Sequence, residues 1–113
     1  MINQKLALSM LMNNQTIYYK LLKRFYEKYK DHPEILRNLF KTNDASFYRI
    51  VHDIKGISLN LGATKLFELS DLINSLYIQE EKIEEMILDN FIKEFNVVNK
   101  EIYKILKESQ NEI

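Results

Sequence analysis

The sequence predicts an all-α fold: an antiparallel four-helix bundle with an additional short N-terminal helix. Three observations carry this prediction. The chain of 113 residues holds one proline and two glycines, so it offers few places to turn. Apolar residues recur at steps of three and four over long stretches, the repeat of one helix face. No stretch shows the two-residue alternation of a strand. The length suits one domain, and residues 1–113 read as a single helical unit with short loops.

The elements follow in order. A short helix covers Asn3 to Met10. Asn13 and Asn14 offer a cap for a second helix that starts near Gln15 and runs through YYKLLKRFYEKYK. Tyr18, Leu21, Leu22, Phe25, Tyr26 and Tyr29 form its apolar stripe. Asp31, His32 and Pro33 mark a boundary, because proline restricts the residue before it and suits a first helical turn. EILRNLFK continues to about Lys41, either as a third helix or as a kinked extension of the second. Asn43 and Asp44 are caps for the next helix, Ala45 to Leu61, and Gly62 stands where a left-handed stop belongs. A further helix spans Ala63 to Tyr77, with Leu66, Leu69, Leu72, Ile73 and Leu76 inward. The last, Lys82 to Lys107, turns Ile83, Ile87, Phe91, Phe95, Val98, Ile102 and Ile105 to the core.

Composition narrows the function. Hydrophobic residues make up 46% and charged residues 28%, the profile of a folded globular chain. Sixteen basic residues balance sixteen acidic ones, which gives no general attraction to nucleic acid or an anionic membrane. Residues 1–79 carry 11 Lys/Arg against 7 Asp/Glu, and residues 80–113 carry 5 against 9. The basic run KLLKRFYEKYK reads as a solvated face beside buried aromatics. With no cysteine, disulfides and thiolate catalysis are excluded, and a reducing cytoplasm is the easier setting. No apolar run approaches the ~18 residues of a membrane span, and the N-terminus lacks a leader's small-residue cleavage site. An initiating methionine suits a free-standing protein, and a self-sufficient bundle suits a monomer.

Both glycines fall in VHDIKGISLNLGA, residues 51 to 63, with His52 four residues before the first. Glycine costs a helix interior about 1 kcal/mol relative to alanine, so Gly56 needs a reason. With His52 at zero and about 100° per residue, Ile50, Ile54, Ile57, Leu61 and Phe47 lie at about 140–220°. The histidine therefore faces outward. Tyr48, Leu59 and Gly56 lie within about 40° of it, and Arg49 and Lys55 flank the strip at about 60°, both taken to lie on the glycine side. Such a strip reads as a docking surface, with Gly56 opening space beside the imidazole.

Neutral imidazole can carry a transferred group on a ring nitrogen. Lys55, three residues on, could steady a phosphoryl group, whose transfer depends chiefly on alignment and charge. No HExxH pair supports a zinc protease, and no metal site is expected. Ser58 lies about 240° from His52, so no serine nucleophile accompanies it. No glycine-rich loop could cradle ATP, so a phosphate donor has to be another protein.

His52-Asp53-Ile54-Lys55-Gly56-Ile57-Ser58, followed by Leu61-Gly62-Ala63, Leu66 and Leu69, resembles the histidine-containing phosphotransfer (HPt) domain of multistep bacterial phosphorelays. The pattern is H-x-x-K-G-x-S-x-x-L-G-A, set in helices that fit the family along the whole chain. The resemblance implies that His52 accepts a phosphoryl group on Nε2 from a receiver-domain aspartyl phosphate and passes it to another receiver. Lys55 would neutralise phosphoryl oxygens, and Gly56, with Tyr48, Arg49 and Leu59 around it, would leave room for the receiver. Implied partners are response-regulator receiver domains or a hybrid histidine kinase. No cofactor is implied, because the Mg2+ belongs to the receiver. The chain would be a phosphocarrier with no ATP-dependent kinase activity, not a turnover enzyme.

Two positions depart from the pattern. Many members carry glutamine 22 residues after the histidine, where its amide orients the ring; Asn74 stands here. Its shorter reach requires closer helices or a bridging water, or else leaves it without that part. Val51 replaces a frequent alanine, as a packing adjustment. The alternative function is a receiver- or kinase-binding helical adaptor that carries no phosphate.

Overall fold

In the computed structural model of the chain, residues 1–109 are described, and they form six α-helices: α1 Gln4–Met10, α2 Gln15–Tyr29, α3 His32–Lys41, α4 Ser46–Leu61, α5 Thr64–Ile78 and α6 Glu85–Glu108. The last four residues of the expected 1–113 unit lie outside the described residues. The molecule measures 41 × 24 × 19 Å. The 24 residues of α6 span about 36 Å at 1.5 Å each, so this helix runs nearly the full long axis. Around it α2 and α5 pack against α6, α4 packs against both α2 and α5, and the circuit closes.

The caps explain where the helices begin. Asn3 accepts a bond from Leu6 N, and Asn14 accepts one from Ile17 N at 3.1 Å. Asn13 adopts a left-handed φ of 59° that turns the chain from α1 into α2. At α4 the cap position falls on Ala45, which has no side-chain cap, and the expected cap Asn43 instead turns the chain at φ 55°. Asp44 Oδ1 accepts from Ser46 N at 2.9 Å, and that bond holds its carboxyl below the usual range. Gly62 ends α4 at φ 83°, with its N–H bonded back to the last turn.

α3 is a separate helix, not an extension of α2. Pro33 has no N–H to give to the carbonyl of Tyr29 four residues earlier. Asn99 Nδ2 of α6 serves that carbonyl instead, at 3.2 Å. The break is thus satisfied from across the fold. Arg37 of α3 then reaches Asp89 of α6 at 2.8 Å.

The core runs between the helices. Tyr18, Leu22, Phe25 and Tyr29 of α2 are buried as the stripe predicts, with Leu21 and Tyr26 half-buried beside them. Phe25 meets Phe95, which meets Phe91, at ring distances of 6.0 and 5.8 Å. Tyr26 meets Tyr103 while Tyr29 meets Asn99, so α2 and α6 run in opposite senses. Tyr18 Oη donates to the Leu61 carbonyl at 3.0 Å inside this core.

Two expectations need correction. The last helix begins at Glu85, not Lys82, because Glu80 takes a left-handed φ of 57° and Glu84 stays extended. Ile83 is buried all the same, from the loop. Leu72 is 41% exposed, while Asn74 on the same helix is buried. Among the described residues no helix is long and apolar enough to cross a membrane.

Candidate functional site

The site is built on α4 and the wall of α2 that faces it. Phe47, Val51, Ile54, Ser58 and Leu61 are the buried residues of α4. Relative to the expected face, Val51 and Ser58 replace Ile50 and Ile57, which are only half-buried. Ser58 can enter the core because its hydroxyl donates to the Ile54 carbonyl at 2.5 Å. This turns the buried face about 40° from the expected one. His52 remains on the outer side and is exposed, as are Asp53 and Gly56.

A Cβ placed on Gly56 would meet nothing within 4 Å. No helix–helix approach requires this glycine. The bare turn beside the imidazole is open to solvent.

His52, Asp53, Gly56 and Ile57 form one wall of a groove of about 350 Å³. α2 supplies the other wall: Leu21, Phe25 and Tyr29 below, Arg24 and Lys28 at the rim. Arg24 and Lys28 are exposed, and they were hidden from a reading of α4 alone. Their signal in the sequence is the basic run of α2, which serves here as a groove rim and not only as a solvated face.

Lys55 and Arg49 stand on opposite flanks of His52, a correction to their shared placement. Steps of −3 and +3 along a helix rotate in opposite directions, by about 60° each way. Lys55 turns to α5, where its Nζ lies 2.9 Å from Asp71 Oδ1. Tyr48 lies on that flank too. Its ring stacks on Tyr77 of α5 at 3.7 Å and 14°, and burial beside Tyr77 raises its phenol pKa. Arg49 is exposed and Leu59 half-buried.

Asn74 is buried on α5, and its Oδ1 has no hydrogen-bond partner. No hydrogen bond joins it to His52. Among the described residues no group of three or more His, Cys, Asp or Glu could hold a metal ion. The arrangement offers an exposed imidazole, open space on one side of it, and cations on both flanks. Compared with protein-family profiles, curated proteins and solved structures, the chain matches none.

Proposed function

We propose that the chain is a phosphorelay intermediate of the histidine-containing phosphotransfer type. Its α2, α4, α5 and α6 form an antiparallel four-helix bundle, with α1 as the additional N-terminal helix and α3 as a short link. His52 is the reversible phosphate carrier, in the cytoplasm, between response-regulator receiver domains or a hybrid kinase. The observation that carries this reading is the exposed imidazole beside a glycine with nothing within 4 Å of its missing side chain. A folded partner's active site can approach the ring there.

In the proposed step the Nε2 lone pair attacks the phosphorus of the receiver's aspartyl phosphate. An N–P bond forms as the P–O bond to the aspartate breaks, and the electron pair leaves with the carboxylate. The proton on Nδ1 passes to water. Transfer to a second receiver reverses these changes. Positioning and charge stabilisation are the main demands on the protein. Lys55 meets the second by exchanging Asp71 for phosphoryl oxygens. That exchange is cheap, since an exposed ion pair contributes only about 0–1 kcal/mol. Arg49, Leu59 and Tyr48 border the docking surface.

The test mixes the folded chain with phosphorylated receivers and follows acid-labile, base-stable phosphate by mass spectrometry. His52 is expected to label, and His52→Gln to remove the label with helicity unchanged. A wild-type chain left unmodified by every cognate receiver would overturn the proposal. Tight, His52-independent receiver binding without labelling would point to the adaptor instead.

A further inference from the structure

α2 carries a row of cations that its own structure does not explain. Lys20, Arg24 and Lys28 follow one another at four-residue spacing, so they line up along one helix face. Like charges at that spacing destabilise a helix unless something relieves them. Among the described residues neither Arg24 nor Lys28 makes an ion pair. The acid beside the row is Glu27, and Asp53 is the single carboxylate lining the groove that Arg24 and Lys28 share with His52. Lys28 Nζ lies 5.2 Å from the centre of the Tyr29 ring, which also lines the groove. Two cations and one carboxylate thus surround an apolar groove whose opposite wall holds an exposed nucleophile. Lys55 contributes from the other flank, where Asp71 engages it.

We propose that Arg24 and Lys28 bind the oxygens of a phosphoryl group carried on His52, closing on it from α2. This rests on the reading of His52 as a phosphoryl acceptor. The guanidinium of Arg24 offers a planar pair of donors suited to two phosphoryl oxygens, and Lys28 adds a point charge. Neither residue makes or breaks a covalent bond. They favour the N-linked phosphoryl dianion over the free imidazole, and they steady the charge as the P–O bond to the donor gives way. The exposed row on α2 thereby acquires a counter-ion that is present only in the loaded state.

The test uses potassium phosphoramidate, a small phosphoryl donor that needs no protein partner, alongside phosphorylated receivers. Wild type, Arg24→Gln/Lys28→Gln, Arg24→Lys and the control Lys30→Gln, which lies off this groove, are loaded, and phosphate on His52 is quantified by mass spectrometry. Matching circular dichroism spectra establish that each variant is folded. The double variant is expected to load about tenfold more slowly, a fewfold for each exposed charge. Arg24→Lys should retain most of the rate, and Lys30→Gln all of it. In a ³¹P titration the double variant's phosphoryl group should protonate at higher pH than wild type, with Asp53 and Lys55 unchanged around it. Wild-type loading rates and an unshifted titration in the double variant would overturn the assignment. So would failure of phosphoramidate to label wild-type His52. Cation-dependent loading by phosphoramidate without loading from any receiver keeps these two residues and removes the relay. Receiver loading unaffected by the double variant does the reverse.

Discussion

Asn3 donates its backbone N–H to the carbonyl of Gly62 at 2.8 Å, and its own carbonyl occupies the space that a side chain at position 62 would need. Gly62 also holds φ at 83°, where an L-residue costs about 1–2 kcal/mol. Gly62→Ala therefore incurs both penalties. It should lower stability by about 2–4 kcal/mol, seen as a lower urea midpoint at unchanged slope. A loss below about 0.5 kcal/mol would mean that the N-terminal segment yields freely.

Gly56 should behave in the opposite way. Its added Cβ meets nothing within 4 Å, so alanine restores helix propensity without a clash. Gly56→Ala should raise stability by about 0.5–1 kcal/mol. Under the proposed function, transfer from a receiver should slow, because the methyl group stands in the partner's path. Faster transfer would show that the clearance is not used.

Lys55 and Asp71 are 30% and 48% exposed in their side chains, so their bond is weak. Asp71→Asn should change stability by less than about 1 kcal/mol, with the effect fading in salt. Under the proposed function, Lys55 released from Asp71 should support receiver-driven loading at least as fast as wild type. A severalfold fall in loading would assign Asp71 a part of its own.

Tyr18→Phe removes the buried bond to the Leu61 carbonyl. The expected cost is about 1–2 kcal/mol, measured by denaturation at neutral pH. Burial also raises this phenol's pKa far above its usual 10.0. The folded chain thus holds the proton where the unfolded chain has lost it. That stability is intact below pH 10 and declines as pH rises toward the folded value. In Tyr18→Phe this contribution to the alkaline decline should be absent.

His32 titrates with the opposite sense. Burial and the nearby Lys28 ammonium push its pKa below 6.5, against a smaller upward pull from Asp31. Its Nδ1 is buried without a partner, and its ring meets Tyr29 edge-on at 5.0 Å. The unfolded chain takes up the proton first, so stability is lost as pH falls below about 6.5 toward the folded value. His32→Phe keeps the ring and removes the charge. Its stability should fall less steeply over that range.

Local chemistry made much of the fold legible. Few breakers and clean apolar stripes defined the helices, and Asn14, Pro33 and Gly62 act at their ends by the chemistry that makes them recognisable. What escaped the sequence depended on distant partners. Ser58 enters the core through a bond to its own helix, and polarity alone gave no sign of that. Leu72 turns outward instead of inward, and Asn74 is buried, because α4 and α6 fix which side of α5 is covered. The outward phase of His52 and the bare turn at Gly56 were readable from one helix. Arg24 and Lys28 were not, since only the packing of α2 beside α4 brings them to the same groove.

The parallel rings of Tyr48 and Tyr77 give the protein an optical signal of its own. The chain has no tryptophan, so tyrosine dominates its near-ultraviolet dichroism, and a closely stacked pair contributes strongly through coupling between its transitions. One member of that pair borders the surface around His52. A visitor that tilts either ring would change the spectrum without any dye or label, allowing encounters to be followed in real time on the native chain.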